Sequence, residues 1–291
     1  MTPRFDGIFT ALLTPFGADG AINETVLAQH IERNLKQGVS GFYVNGSTAE
    51  NFLLTNEEKR RLLRAVRDIV NGRCTLIAHV GSISTAEACE LAKVAEALGY
   101  HAVSAVAPFY YKFSFAEVKA YYYAIASSVS IPMVVYNFPT FSGVNLSADQ
   151  IGEFLCDDRF LGVKHTSADY FAMRQFKTAY PDKKVFNGYD ETFLAGLSMG
   201  ADGAIGSTFN FMADKFIKIH ELFLAGDIKA AMAVQEEADV IIAALCKCGV
   251  MQGEKAILCA QGLDFGISRP PFAPLSAEAE KTLLDTVLPL L

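Results

Sequence analysis

Short apolar runs and amphipathic stretches alternate along most of this chain. The apolar runs predict strands at residues 7–13, 41–44, 75–80, 102–107, 133–137, 161–164, 184–187 and 203–205. A segment with helical periodicity follows each one, at 24–37, 56–71, 85–98, 115–129, 148–155, 170–179, 191–199 and 213–225. In the second of these, Leu62, Leu63, Val66, Ile69 and Val70 share one side of a 3.6-residue repeat. Thr55 with Glu58, Ser84 with Glu87, Ser114 with Glu117 and Ser147 with Gln150 have the spacing of a capping box. In that motif two side chains satisfy the first free amide groups of a helix.

Eight strand–helix units predict an α/β protein, a (β/α)8 TIM barrel, because parallel strands need crossovers of this length. A doubly wound sheet is the competing arrangement, but the chain has no GxGxxG fingerprint. Beyond residue 225 the alternation stops. Residues 227–247, 254–261 and 277–288 read as three helices with no strand between them. The expected organisation is a barrel over 1–225 and a small C-terminal helical appendage over 226–291.

The chain has 291 residues, 51% hydrophobic and 20% charged, with a net charge of −7 and the two signs interspersed. No basic face appears, which argues against nucleic acid or an anionic membrane as partner. No signal-peptide pattern and no apolar run of bilayer length is found, so a cytoplasmic location is expected. Cys74, Cys89, Cys156, Cys246, Cys248 and Cys259 form no CxxC pair and no zinc-like spacing with histidine, and buried thiols are expected. No histidine pair has metal-ligand spacing either. His30, His101 and His220 fall in helical or surface-like contexts, and His79 ends the third strand.

Lys164 changes the picture. It lies in the apolar run Phe160-Leu161-Gly162-Val163-Lys164, where an ammonium must be paired or desolvated. Desolvation lowers its pKa toward the range in which the free amine attacks a carbonyl. A structural ion pair or a snorkelling strand-end lysine is the alternative. His165 is turned to the opposite face by the pleat. Other polar residues gather at the same predicted rim, the C-terminal ends of the strands, where barrels of this kind build their sites. Gly46-Ser47-Thr48-Ala49-Glu50 offers hydroxyls and consecutive amides suited to a carboxylate. Ser47 and Glu50 also have capping-box spacing, yet Thr55 is the better start for the second helix. Tyr136 ends the fifth strand, where a phenol could relay protons, unless it is a core tyrosine tied to backbone.

Together these motifs resemble the pyruvate-dependent class I aldolases, the family that contains N-acetylneuraminate lyase and dihydrodipicolinate synthase. The resemblance rests on Tyr43–Thr48, Pro108–Phe115, Tyr136–Gly143, Gly162–Thr166, Asn187–Glu191 and Gly203–Asn210, and spans essentially the whole chain. It implies that Lys164 forms an imine with a 2-oxo acid, that Ser47 and Thr48 hold the carboxylate, and that Tyr136 moves protons. It implies that Tyr111, rather than Tyr110, is lent by a neighbouring subunit of a homotetramer. Thr166, Gly188, Asp190, Glu191 and Ser207 would bind a hydroxylated sugar chain. The implied reaction is reversible cleavage of a sialic acid to N-acetylmannosamine and pyruvate, with no metal or other cofactor. A related 2-keto-3-deoxy sugar acid and a non-catalytic relative binding sialate or pyruvate are the other readings. The synthase branch carries an arginine where this chain has Phe141. Two further departures are Ala49, where the family usually has glycine, and Met251, where lyases often present an aromatic. If position 49 requires positive φ, its Cβ costs about 1 kcal/mol or more.

Overall fold

The computed structural model describes residues 2–291. Eight parallel strands close into a barrel in chain order: β1 (Gly7–Ala11), β2 (Gly41–Val44), β3 (Thr75–His79), β4 (Ala102–Val106), β5 (Met133–Asn137), β6 (Phe160–His165), β7 (Lys184–Asn187) and β8 (Gly203–Gly206). The predicted TIM barrel is therefore the observed one. Around it run α1 (Glu24–Gln37), α2 (Asn56–Val70), α3 (Thr85–Ala97), α4 (Phe115–Ser127), a short α5 (Pro139–Ser142), α6 (Ala148–Leu155), α7 (Tyr170–Ala179), α8 (Phe193–Ser198) and α9 (Phe209–Leu224). Then come α10 (Ile228–Cys248), α11 (Val250–Ala260) and α12 (Ala277–Val287). Ile241, Leu245, Ile257 and Leu283 of these last three helices lie in the same buried cluster as the outward faces of the strands.

Strand pleating sorts the core in two. Phe9, Tyr43, Ile77, Val106, Val134, Tyr136, Phe186 and Ile205 fill the inside of the barrel. Ile8, Phe42, Leu76, Val103, Val135, Val163 and Val185 face the helices. With Val163 pointing outward, the period of two turns Lys164 inward. His165 points outward again, against the Phe176 ring at 5.4 Å.

Several boundaries differ from expectation. Complete capping boxes form at Thr55, Ser114 and Ser147. At Ser84 only half forms, because Glu87 turns away to accept from Ser82 Oγ at 2.8 Å. The helix after β8 starts at Phe209 rather than residue 213, with a break at Met212 that hid its first turn from periodicity. The helix expected from residue 254 already begins at Val250, and only Gly249, at φ +108, separates it from α10. The thiols are less buried than expected. Cys74 is buried, whereas Cys156 and Cys246 are exposed and the other three are intermediate. His30 lies on a helix, as expected, but on its fully buried side. Its Nε2 lies 2.8 Å from Asn210 Oδ1, and burial lowers its pKa to about 4. No helix of the described residues is long and apolar enough to cross a membrane.

Candidate active site

Lys164 and Tyr136 are register partners on β6 and β5, so barrel closure places them side by side. The Lys164 ammonium sits over the Tyr136 ring at 4.2 Å and over the Tyr43 ring at 4.8 Å. Two aromatic faces attract a cation by about 1–2 kcal/mol each when desolvated. Burial nevertheless wins: it lowers the Lys164 pKa to about 7, with Asp190 acting in the opposite direction. Among the described residues no salt bridge to Lys164 forms, which leaves the structural ion-pair alternative without support. Tyr43 is held from below, its hydroxyl donating to Ser104 Oγ at 3.0 Å, which in turn donates to Val134 O at 2.8 Å.

Tyr136 is nearly buried, and burial drives its phenol pKa upward, so it is protonated at neutral pH. The hydroxyls of Ser47 and Thr166 partly offset that rise. Thr166 Oγ1 lies near the phenol, buried and without a hydrogen-bond partner among the described residues. Gly188 is needed for Thr166 to sit there. A Cβ at Gly188 would come within 1.9 Å of Thr166 Oγ1.

These groups open onto a cavity of about 340 Å3 at the C-terminal rim. Ser47, Thr48, Tyr136, Lys164, Thr166, Gly188, Asp190, Glu191 and Ser207 all line it, as expected from the rim motifs. Tyr111 does not. It is 63% exposed on the loop after β4 and packs edge-on against Tyr110, outside the cavity of its own chain. Met251 and Phe141 border both this cavity and a neighbouring apolar one of about 330 Å3. Among the described residues lining the main cavity, Lys164 is the only cation.

Asp190 has a task that spacing alone did not reveal. Its Oδ2 accepts from Thr208 N at 2.9 Å and from Thr208 Oγ1 at 2.7 Å. Burial raises its pKa to about 6 against those bonds. It therefore ties the β7 rim to the β8 rim, and half of its hydrogen-bonding capacity is spent on the fold. Asn210 does similar work, donating to Ala11 O at 2.7 Å and accepting from Leu13 N at 3.1 Å. Both Thr208 and Asn210 stood in a motif already singled out, but their partners lie on other strands. His79 does hold the rim: Val106 N donates to its Nε2 at 3.1 Å, which leaves Nδ1 to donate to Asn45 O at 2.9 Å. Burial lowers its pKa to about 3, so it stays neutral.

The segment Ser47–Ala49 is a single 3-10 turn, capped by no side chain. The capping-box reading of Ser47 and Glu50 is thus excluded, leaving the Ser47 and Thr48 hydroxyls to the cavity. The concern over Ala49 is also settled: left-handed backbone falls on Asn45 (φ 61) and Glu50 (φ 58), and Ala49 carries none. Glu50 tolerates that conformation because it is locked by the C-terminal segment. It accepts from Lys255 Nζ at 2.6 Å and from Arg269 N at 2.7 Å. Both side chains of the Glu50–Lys255 pair are essentially buried. Removing one partner leaves an uncompensated charge, so Lys255→Met should destabilise the protein by about 3–5 kcal/mol in urea unfolding. The double variant Glu50→Gln/Lys255→Met should recover much of that loss; equal stability of the single variant and wild type would contradict the account.

Comparison with known proteins follows the same lines. The model of the dihydrodipicolinate synthetase family matches residues 4–288. N-acetylneuraminate lyase of Rhizobium meliloti is 42% identical over 99% of this chain and 96% of that protein. N-acetylneuraminate lyase 2 of Escherichia coli O6:H1 is 44% identical, covering 94% of this chain and 91% of that protein. The crystal structure of CdNal from Clostridium difficile in complex with mannosamine superposes with a TM-score of 0.96 at 39% identity, covering 99% of this chain and all of that one.

Proposed function

The chain belongs to the dihydrodipicolinate synthetase family, and from that membership we propose that it is a Schiff-base aldolase that cleaves N-acetylneuraminate to N-acetylmannosamine and pyruvate, reversibly. The observation that carries this reading is the inward Lys164, a buried amine titrating at about 7 beside the Tyr136 phenol. As a free amine Lys164 adds to the ketone of the substrate and loses water to form an imine. When the C–C bond next to that imine breaks, the protonated nitrogen accepts the electron pair as an enamine, so the chemistry requires no metal. The Tyr136 phenol first gives its proton to the water lost in imine formation; the phenolate so formed takes the proton of the hydroxyl that becomes the aldehyde as the C–C bond breaks, and returns it to the enamine carbon. Ser47 and Thr48, with their amides, hold the carboxylate. Thr166, Gly188, Asp190, Glu191 and Ser207 bind the hydroxylated chain, Asp190 through the oxygen that Thr208 leaves free. In a homotetramer, Tyr111 of a neighbouring copy completes the site; its exposure and its position outside its own cavity support that role. A cytoplasmic setting fits the six free cysteines.

The synthase reading is disfavoured because Phe141 brings no positive charge to the cavity mouth for a second carboxylate. Release of pyruvate from N-acetylneuraminate, compared with a panel of 2-keto-3-deoxy sugar acids, tests the proposal. Preference for unacetylated sugar acids would move the assignment to another aldolase, and binding without turnover would revive the non-catalytic reading. Thr166→Val should raise KM for N-acetylneuraminate by about fivefold to tenfold, the loss of one hydrogen bond in a desolvated site. The same variant should still be labelled by pyruvate and borohydride as fast as the wild type. Loss of labelling would mean that Thr166 serves imine formation instead.

A further inference from the structure

Behind the Ser207 wall of the cavity lies a carboxyl that the proposed chemistry leaves idle. Glu254, on the first turns of α11, is fully buried, and neither carboxyl oxygen has a hydrogen-bond partner among the described residues. The turn that carries it is packed tightly against α10 and α12: a Cβ on the preceding Gly253 would meet Leu245 at 2.6 Å and Leu283 at 3.1 Å. An ionised carboxylate in such a place is strongly disfavoured, so the group holds its proton instead. Burial pushes Glu254 up to about 8; the nearby Ser207 hydroxyl acts downward and the Asp190 charge upward.

The charged groups around α11 do not neutralise it. Asp190, from the turn after β7, is an anion and acts in the same direction as burial. Lys255, the next residue on its own helix, is committed to Glu50 at 2.6 Å. Cys248 of α10 lies against Gly253, and burial raises its thiol pKa, so it too is neutral. Lys164 of β6 acts on Asp190. The Ser207 hydroxyl, which also lines the cavity, is the polar group left to meet the acid.

We propose that Glu254 is a positioning residue: as a neutral acid it donates its hydrogen to Ser207 Oγ and thereby leaves the Ser207 hydrogen turned into the cavity as a donor to the substrate's hydroxylated chain. This rests on the lyase reading for the identity of that substrate. When Glu254 loses its proton to solvent the bond reverses. Ser207 then donates to the carboxylate and offers the substrate lone pairs only. Binding of the chain loosens as pH rises through the titration, while the imine chemistry at Lys164 is not touched.

The test compares wild type, Glu254→Gln and Glu254→Leu between about pH 6.5 and about pH 9.5. In the wild type, KM for N-acetylneuraminate should rise about fivefold across that range, the effect of one hydrogen bond. Glu254→Gln, whose amide donates at every pH, should keep the low KM without the rise. Glu254→Leu should show the raised KM throughout, with kcat close to that of the wild type. Adding Ser207→Ala should erase the difference between wild type and Glu254→Gln. Infrared difference spectra of wild type against Glu254→Gln should show a protonated carboxyl band at neutral pH that disappears near pH 8. The spectra judge Glu254 without turnover, even if the leucine variant fails to fold. Superimposable KM profiles for wild type and Glu254→Gln, or a missing carboxylic acid band at neutral pH, would overturn the proposal. Absence of wild-type turnover would sink the lyase reading alone and leave the infrared titration to decide on Glu254.

Discussion

Lys164→Met should abolish turnover of N-acetylneuraminate, by a factor of about 10⁴ or more, because no other group can form the imine. The same variant should be more stable than the wild type at neutral pH. In the unfolded chain the amine keeps its proton up to about its ordinary 10.5, whereas in the fold it gives it up at about 7. Below about 7 both states hold the proton, and the full cost of a buried ammonium weighs on the folded protein. Between about 7 and 10.5 the unfolded chain binds the extra proton, so stability at this site rises with pH, and above that window the cost is gone. Removing the amine should therefore stabilise most at pH 7 and below, by up to about 5 kcal/mol, and less as pH increases. Thermal melts across that range, beside pyruvate and borohydride trapping with residue-level mass spectrometry, check both halves. Lys164→Arg should be equally inactive, since a guanidinium does not deprotonate in proteins. An active arginine variant, or a methionine variant less stable than wild type at pH 6 to 7, would remove the basis of the proposed mechanism. In the wild type, kcat/KM should climb as pH rises through about 7, when Lys164 becomes a free amine.

Tyr136→Phe carries the second largest effect. The ring remains under the Lys164 amine and the core packing is unchanged, so the variant isolates the hydroxyl. Loss of a positioned proton carrier lowers kcat by about 10²–10⁴. Slow imine formation should persist, because the amine is intact and water can supply protons. Borohydride trapping with pyruvate should then still label Lys164 in a protein that barely turns over. An unimpaired phenylalanine variant would return Tyr136 to the status of a core residue.

The two results together separate what was legible in the chain from what was not. Lys164 stood out because a strand that is otherwise apolar makes a charged residue conspicuous, and Tyr136 because it ends the neighbouring strand. The capping boxes at Thr55, Ser114 and Ser147 were readable for a related reason: partners three residues apart meet as soon as the helix forms. Glu87 shows the limit of that logic, since Ser82 lay near enough to claim it. Glu254 left no local signal, and Glu50 only the spacing of a capping box that does not form. Glu254 and Lys255 stand at the expected start of a helix at residue 254, and both side chains proved to be buried within α11.

Apolar runs alternating with helical periodicity over eight units were enough to point to the barrel and to the rim on which the polar residues collect. Those features follow from backbone geometry, which depends on near neighbours in the chain. Barrel closure and the docking of α11 decided the rest. It joined Glu50 to Lys255 across 205 positions and Asn210 to Ala11 across 199. It moved the left-handed backbone onto Asn45 and Glu50 instead of Ala49, and enclosed Glu254 where it keeps a proton. Burial and electrostatic partnership are properties of the space around a side chain, and that space exists only once distant segments have packed.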